Sequence, residues 1–96
     1  MGDEKGEEME IEHLVEQAKR QLSDLTGLKP VAVTSISRED GSWHLRLELL
    51  EMARIPPAAD LLGEYDVSLD QEGRLQRFER RRSRLRGEPV AAEERV

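Results

Sequence analysis

Cysteine is absent from this chain, which excludes a disulfide framework, a thiolate zinc site and a cysteine nucleophile together. Aromatic residues are nearly absent too: one Trp, one Tyr and one Phe make up 3% of 96 positions, so any core is aliphatic and thin. No stretch approaches the roughly 18 consecutive apolar residues of a membrane span. Residues 1–12 are acidic, the opposite of the basic start and apolar run of a signal peptide, so no export route is expected. The missing cysteines fit a reducing, cytoplasmic setting. What the chain has in excess is charge: 38% of residues are charged against 36% apolar, with a net charge of -6. A chain this short has room for one compact domain, and this composition predicts loose ends around it.

The net charge conceals a polarity. Residues 1–25 carry three basic and eight acidic groups, whereas residues 74–86 carry seven arginines and one acid, Glu79. Either the two ends neutralise each other, or the arginines form a docking edge for an acidic partner.

Residues 1–8 are rich in Gly and Glu without periodicity and read as a disordered acidic tail. From Met9 the pattern changes. Ile11, Leu14, Val15, Ala18, Leu22 and Leu25 recur at spacings of three and four, which draws one apolar stripe along an amphipathic helix of about four turns. Gly27 suits its left-handed cap, Leu28 is placed to fold back on the last turn, and Pro30 lies beyond. Residues 31–37 are rich in β-branched side chains and predict a first strand, with an imperfect alternation that implies a bulge. Asp40-Gly41 is a hairpin signal. In the second strand Trp43, Leu45, Leu47 and Leu49 share one face, and Trp43 is expected to be the main aromatic of the core.

Pro56 and Pro57 stop that strand, and residues 58–62 can form one helical turn. Alternation returns from Gly63, with Tyr65, Val67 and Leu69 on one side and Glu64, Asp66, Ser68 and Asp70 on the other. A turn at residues 70–73 leads to a fourth strand anchored by Leu75 and Phe78, whose spacing of three implies a second irregularity. Residues 88–96 read as a disordered C-terminal tail. The expected fold class is therefore α+β: a single domain over residues 9–87, in which one N-terminal amphipathic helix packs on a four-stranded antiparallel meander.

Residues for catalysis are hard to find. His13 has glutamates near it but no second His at helical spacing, and His44 lies beside Arg46, where a cation would be repelled; neither is read as a metal ligand. Carboxylate pairs such as Glu48 and Glu51, or Asp66 and Asp70, have no evident dry cleft. No Gly-rich phosphate loop occurs, and no serine has a base at a telling spacing. The chain is read as a non-enzyme without cofactor or metal. Nucleic acid is the rival ligand for the arginines. Against it stand the pI near 5.0 and the lack of interleaved aromatics.

The surface expected to meet a partner has two parts. Arg54, Ile55, Pro56 and Pro57 form an extended break that exposes Ile55 with little entropy left to lose. Arg80, Arg81 and Arg82 offer planar forks for carboxylates, more of them than Glu64, Asp66 and Asp70 could use.

Taken in order, the strand of residues 43–51, Arg54-Ile55-Pro56, the turn and strand of residues 60–70, then Gly73, Leu75, Phe78 and the arginine run resemble the gas vesicle protein O family. The resemblance covers about residues 14–87, and residues 1–12 are a short version of the acidic segment that precedes the helix in that family. Leu85 stands where another aromatic would be expected. The resemblance implies a role in building gas vesicles, as an accessory protein that binds other accessory proteins and the small, hydrophobic shell protein. It implies a cytoplasmic, gas-vesicle-associated location. The layout is also similar to PepSY-like modules that bind or inhibit proteins, the alternative outside gas vesicles. A homodimer through the polar face of the sheet is left open.

Overall fold

The computed structural model describes residues 10–88. Its elements run α1 (Ile11–Thr26), β1 (Lys29–Glu39), β2 (Ser42–Met52), a short 3₁₀ turn (Pro57–Ala59), β3 (Leu61–Leu69) and β4 (Leu75–Leu85). The four strands form one antiparallel sheet in the order β1-β2-β3-β4. This is the α+β meander read from the sequence. The expected tails lie outside the described residues except for Glu88, whose amide donates to the Leu85 carbonyl.

Local chemistry explains each boundary. Gly27 takes a left-handed conformation at φ 76° and its N–H donates to the Ser23 carbonyl at 2.7 Å, which ends α1. Asp40 and Gly41 both have positive φ, the geometry whose twist matches a two-residue hairpin. The irregularity expected in β1 appears as register shifts at Pro30/Ala32 and Val33/Ser35. The one expected near Leu75 appears between Ser68 and Leu69. β1 is longer than the seven residues expected, and β3 starts two residues early, at Leu61. Strand pairing captures residues that lack strand propensity of their own.

The core is aliphatic. Leu14, Ala18 and Leu22 of α1 are fully buried in one cluster with Leu45, Leu47, Leu49, Tyr65, Val67 and Leu69. Ile11 and Leu25 share the angular position of that row but are exposed. Sixteen helical residues span about 24 Å, while the outer strands of a four-stranded sheet lie only about 14 Å apart, so the ends of the stripe overhang. Trp43 is not the buried aromatic. It is half-buried at the margin of the cluster with the Arg38 guanidinium 5.2 Å from its ring, and Tyr65 takes the interior place. Phe78 is largely exposed, 6.3 Å from the Tyr65 ring. Gln21 ties helix to sheet, donating to the Gly73 carbonyl at 2.7 Å and accepting from the Leu75 amide at 2.9 Å.

Candidate docking surface

Two regions that the sequence singled out are built from different parts of the sheet. The first is the connection from β2 to β3. Ile55 is 96% exposed at its apex, and the peptide bond to Pro56 is cis. The segment is not the extended Pro-Pro stretch expected, because Pro57–Ala59 closes into a 3₁₀ turn through Ala59 N–H to the Pro56 carbonyl and Asp60 N–H to the Pro57 carbonyl. Asp60 organises it. One carboxylate oxygen accepts the Arg54 amide at 2.7 Å, and the other accepts Arg86 Nε at 3.1 Å. The Arg54 hydrogen bond, helped by Arg86 and acting against burial, holds the Asp60 carboxyl below the usual carboxylate range.

The second region is the arginine segment of β4. Arg80 lies opposite Tyr65 and Arg82 opposite Glu64, with a register shift between those pairs. Because side chains alternate along a strand, Arg80 shares the helix-covered face with Tyr65, while Arg81 and Arg82 reach acids on the other face. The three arginines therefore do not form one continuous edge.

Their forks are occupied. Arg80 pairs with Glu51 through Nε at 2.8 Å and Nη2 at 2.9 Å. Arg81 Nη1 is 3.0 Å from Asp66, and Arg82 Nε is 3.0 Å from Glu64. Asp66 also takes Arg46 Nε at 2.9 Å, and burial that would raise its pKa is outweighed by the hydrogen bonds from Arg46 and Arg81, so the pKa is lowered. Arg84 makes a two-point pair with Glu48 at 2.7 and 3.0 Å. That pair is largely buried, with the Glu48 side chain only 5% exposed. Asp70, one of the three acids weighed as arginine partners, instead accepts the Glu72 and Arg74 amides and shapes the turn.

Alternation gives the face of Glu51 but not its partners. The residue continues the face of Leu45, Leu47 and Leu49, just before the register shift between Leu50 and Met52, and so lies on the side of Tyr65. There it accepts hydrogen bonds from Arg80, from Ser83 Oγ at 3.1 Å and from Tyr65 Oη at 3.1 Å, which hold its pKa below the usual range. Arg80 is raised by the same pairing, and burial beside Glu51 raises the Tyr65 phenol. Asp60 and Glu48 were also missed as organising groups. Asp60 does carry a signal, as the lone acid between Glu51 and Glu64 in an apolar connection.

The helix-free face of the sheet carries an open trough of about 530 Å³ lined by residues that include Ser35, His44, Arg46, Asp66, Ser68 and Arg77. His44 Nδ1 lies 3.3 Å from Ser68 Oγ, and its other nitrogen lies 3.7 Å from Glu39. Among the described residues no group of three His, Cys, Asp or Glu could hold a metal ion, and no helix is long and apolar enough to cross a membrane.

An exposed loop apex and a sheet whose arginines are matched to acids thus lie on one small domain, and comparison with known proteins gives that domain a family. The profile described as "Gas vesicle synthesis protein GvpO" matches residues 2–89. The chain belongs to the gas vesicle protein O family. It is 42% identical over 67 residues to gas vesicle protein O of Streptomyces sp. (strain CB03234), an alignment that covers 70% of this chain and 52% of that protein. The chain thus spans about half the length of the curated relative it matches. No solved structure matches it significantly. The resemblance drawn from residues 43–86 holds. Within that family, the Arg54-Ile55-Pro56 segment and the arginine strand belong to the matched region.

Proposed function

We propose that this chain is a non-catalytic, protein-binding adaptor that acts in gas vesicle assembly. It works in the cytoplasm at the vesicle, and its partners are other gas vesicle accessory proteins and the shell protein. Its membership in a family described by gas vesicle synthesis is the observation that carries this reading. In this reading the amphipathic helix packed on the sheet is the scaffold. Arg54, Ile55, Pro56 and Pro57, together with Arg80, Arg81 and Arg82, are the contact surface. The exposure of Ile55 on an ordered loop supports the first part. For the arginines, contact with a partner would mean sharing or exchanging carboxylates with Glu51, Glu64 and Asp66. Such exchange costs least at the half-exposed pair of Arg81 and Asp66. Phosphate tracking is less well supported, since the same forks already hold acids.

The test is affinity capture of the tagged chain from cells that express a gas vesicle gene cluster, at about 0.1 M and about 1 M salt. The wild-type chain is expected to recover defined gas vesicle proteins, with Arg81→Gln/Arg82→Gln weakening recovery mainly at low salt. Recovery of none of them by a folded wild-type chain would contradict the adaptor reading.

A further inference from the structure

In a chain this charged, one stretch of surface is unlike the rest. Residues 52–58 are all exposed, and Arg54 is the only one of the seven with a polar side chain. Met52 is about half exposed and Ile55 almost wholly so. Isolated apolar side chains in water are ordinary, but a continuous run of them is not.

The run is also held in place. Asp60 is 7% exposed, and a buried carboxylate is unfavourable unless its oxygens are matched. Both of its oxygens are committed to this connection, one to the Arg54 amide and one to Arg86 Nε. Its carbonyl takes the Arg86 amide at 2.8 Å, and the Ala58 carbonyl takes the Gly87 amide at 2.9 Å. The apolar run is thereby clasped to the chain just after β4. None of these bonds serves the core under α1.

We infer that residues 52–58 are a pre-ordered apolar docking loop, that Asp60 and Arg86 are its positioning residues, and that it fits an apolar cleft in a different protein with a carboxylate at the rim. This rests on the adaptor reading. Ordering a loop before contact removes part of the entropy cost of binding, which is the use such a clasp has. The rim carboxylate follows from Arg54. Among the described residues no acid lies within ion-pair distance of it, and its Nε rests 3.4 Å from the Met52 sulfur. A second copy of this chain is a poor occupant with the loop on the two-fold axis, because that sets Arg54 against Arg54.

The experiment places a benzophenone amino acid at position 55 and, in a second protein, at position 81. Each is co-expressed with a gas vesicle gene cluster, irradiated and mapped by mass spectrometry. Position 55 is expected to cross-link one gas vesicle protein within an apolar segment that has Asp or Glu close by. Asp60→Asn and Arg86→Gln are expected to lower that yield about tenfold, the loss of a pre-formed contact. In both variants Arg54 amide exchange should quicken while that of Leu47 stays slow, which separates a loosened loop from an unfolded domain. Adducts from position 81 alone would overturn the docking loop and leave the adaptor reading standing. Adducts from neither position would overturn both. Adducts with a second copy of this chain, or with lipid, would overturn the stated partner, as would Asp60→Asn with a loosened loop and unchanged yield.

Discussion

Gly63 is expected to be irreplaceable because of Glu51, and the coupling between them can be measured. Gly63 is buried opposite Leu49 and Ser83, and a methyl group built on it would overlap the Glu51 carboxylate. A glutamate is flexible, but this one is held by Tyr65, Arg80 and Ser83, so moving it breaks those bonds. The Arg80 pair is half exposed and is left out of the sum because water screens it. The Tyr65 and Ser83 bonds at about 1 kcal/mol each, with some desolvation of the stranded tyrosine hydroxyl, give about 2–3 kcal/mol for Gly63→Ala. In a domain of this size that lowers Tm by about 10–20 °C. Glu51→Ala breaks the same bonds and should cost about the same. The two together should cost about 3 kcal/mol rather than the sum, since the second change finds the contact already lost. Urea melts of the four proteins give the coupling. Additivity within about 0.5 kcal/mol would refute the reasoning.

Trp43→Ala should cost about 1–2 kcal/mol, less than the 3–5 of a buried aromatic, because the ring sits at the margin of the core; a loss above about 3 in a denaturant melt would contradict this. Glu48→Ala should cost about 3 kcal/mol by stranding the Arg84 guanidinium, and Glu48→Ala/Arg84→Met should recover part of it; equal melts for single and double variants would count against a buried pair. Acid should destabilise the domain. Glu51, Asp60 and Asp66 all bind protons more weakly folded than unfolded, so their stabilisation is full above the ordinary carboxylate range and is lost as pH falls below about 4 and through their lowered folded values. A urea midpoint unchanged between about pH 5 and pH 2.5 would show that these carboxylates contribute nothing.

Much of the fold was legible because β2 and β3 alternate cleanly. Leu45, Leu47 and Leu49 face Tyr65, Val67 and Leu69, and a period of two identifies both strands and their buried side. The faults in the pattern were legible as well. The mismatch of Val31, Val33 and Ile36, and the spacing of Leu75 and Phe78, correspond to register shifts. What could not be read is which side chains meet across the sheet and where a shift sends the next one. Glu51 continues the face of Leu47 and Leu49 beside Tyr65, but no pattern shows that Arg80 and Ser83 of β4 meet it there, and the shift after Arg80 divides the arginines between two faces. Trp43 was misplaced because alternation gives the face and not the distance from the centre of the sheet. Ile55 and its neighbours could be singled out from proline chemistry, but the Asp60 clasp joins residues 26 positions apart, and that pairing exists only once β4 has returned beside β3.

The central claim is that gas vesicle assembly uses this chain as a binding surface. It is tested most directly by gas vesicle content, read as the pressure-sensitive part of culture turbidity, in a host whose own copy of the gene is deleted and replaced. The wild-type chain should restore vesicles. Ile55→Asp/Arg81→Gln/Arg82→Gln, shown by its melt to be folded, should restore few or none. Full restoration by that folded variant would contradict the claim that these residues make the contact through which the chain works.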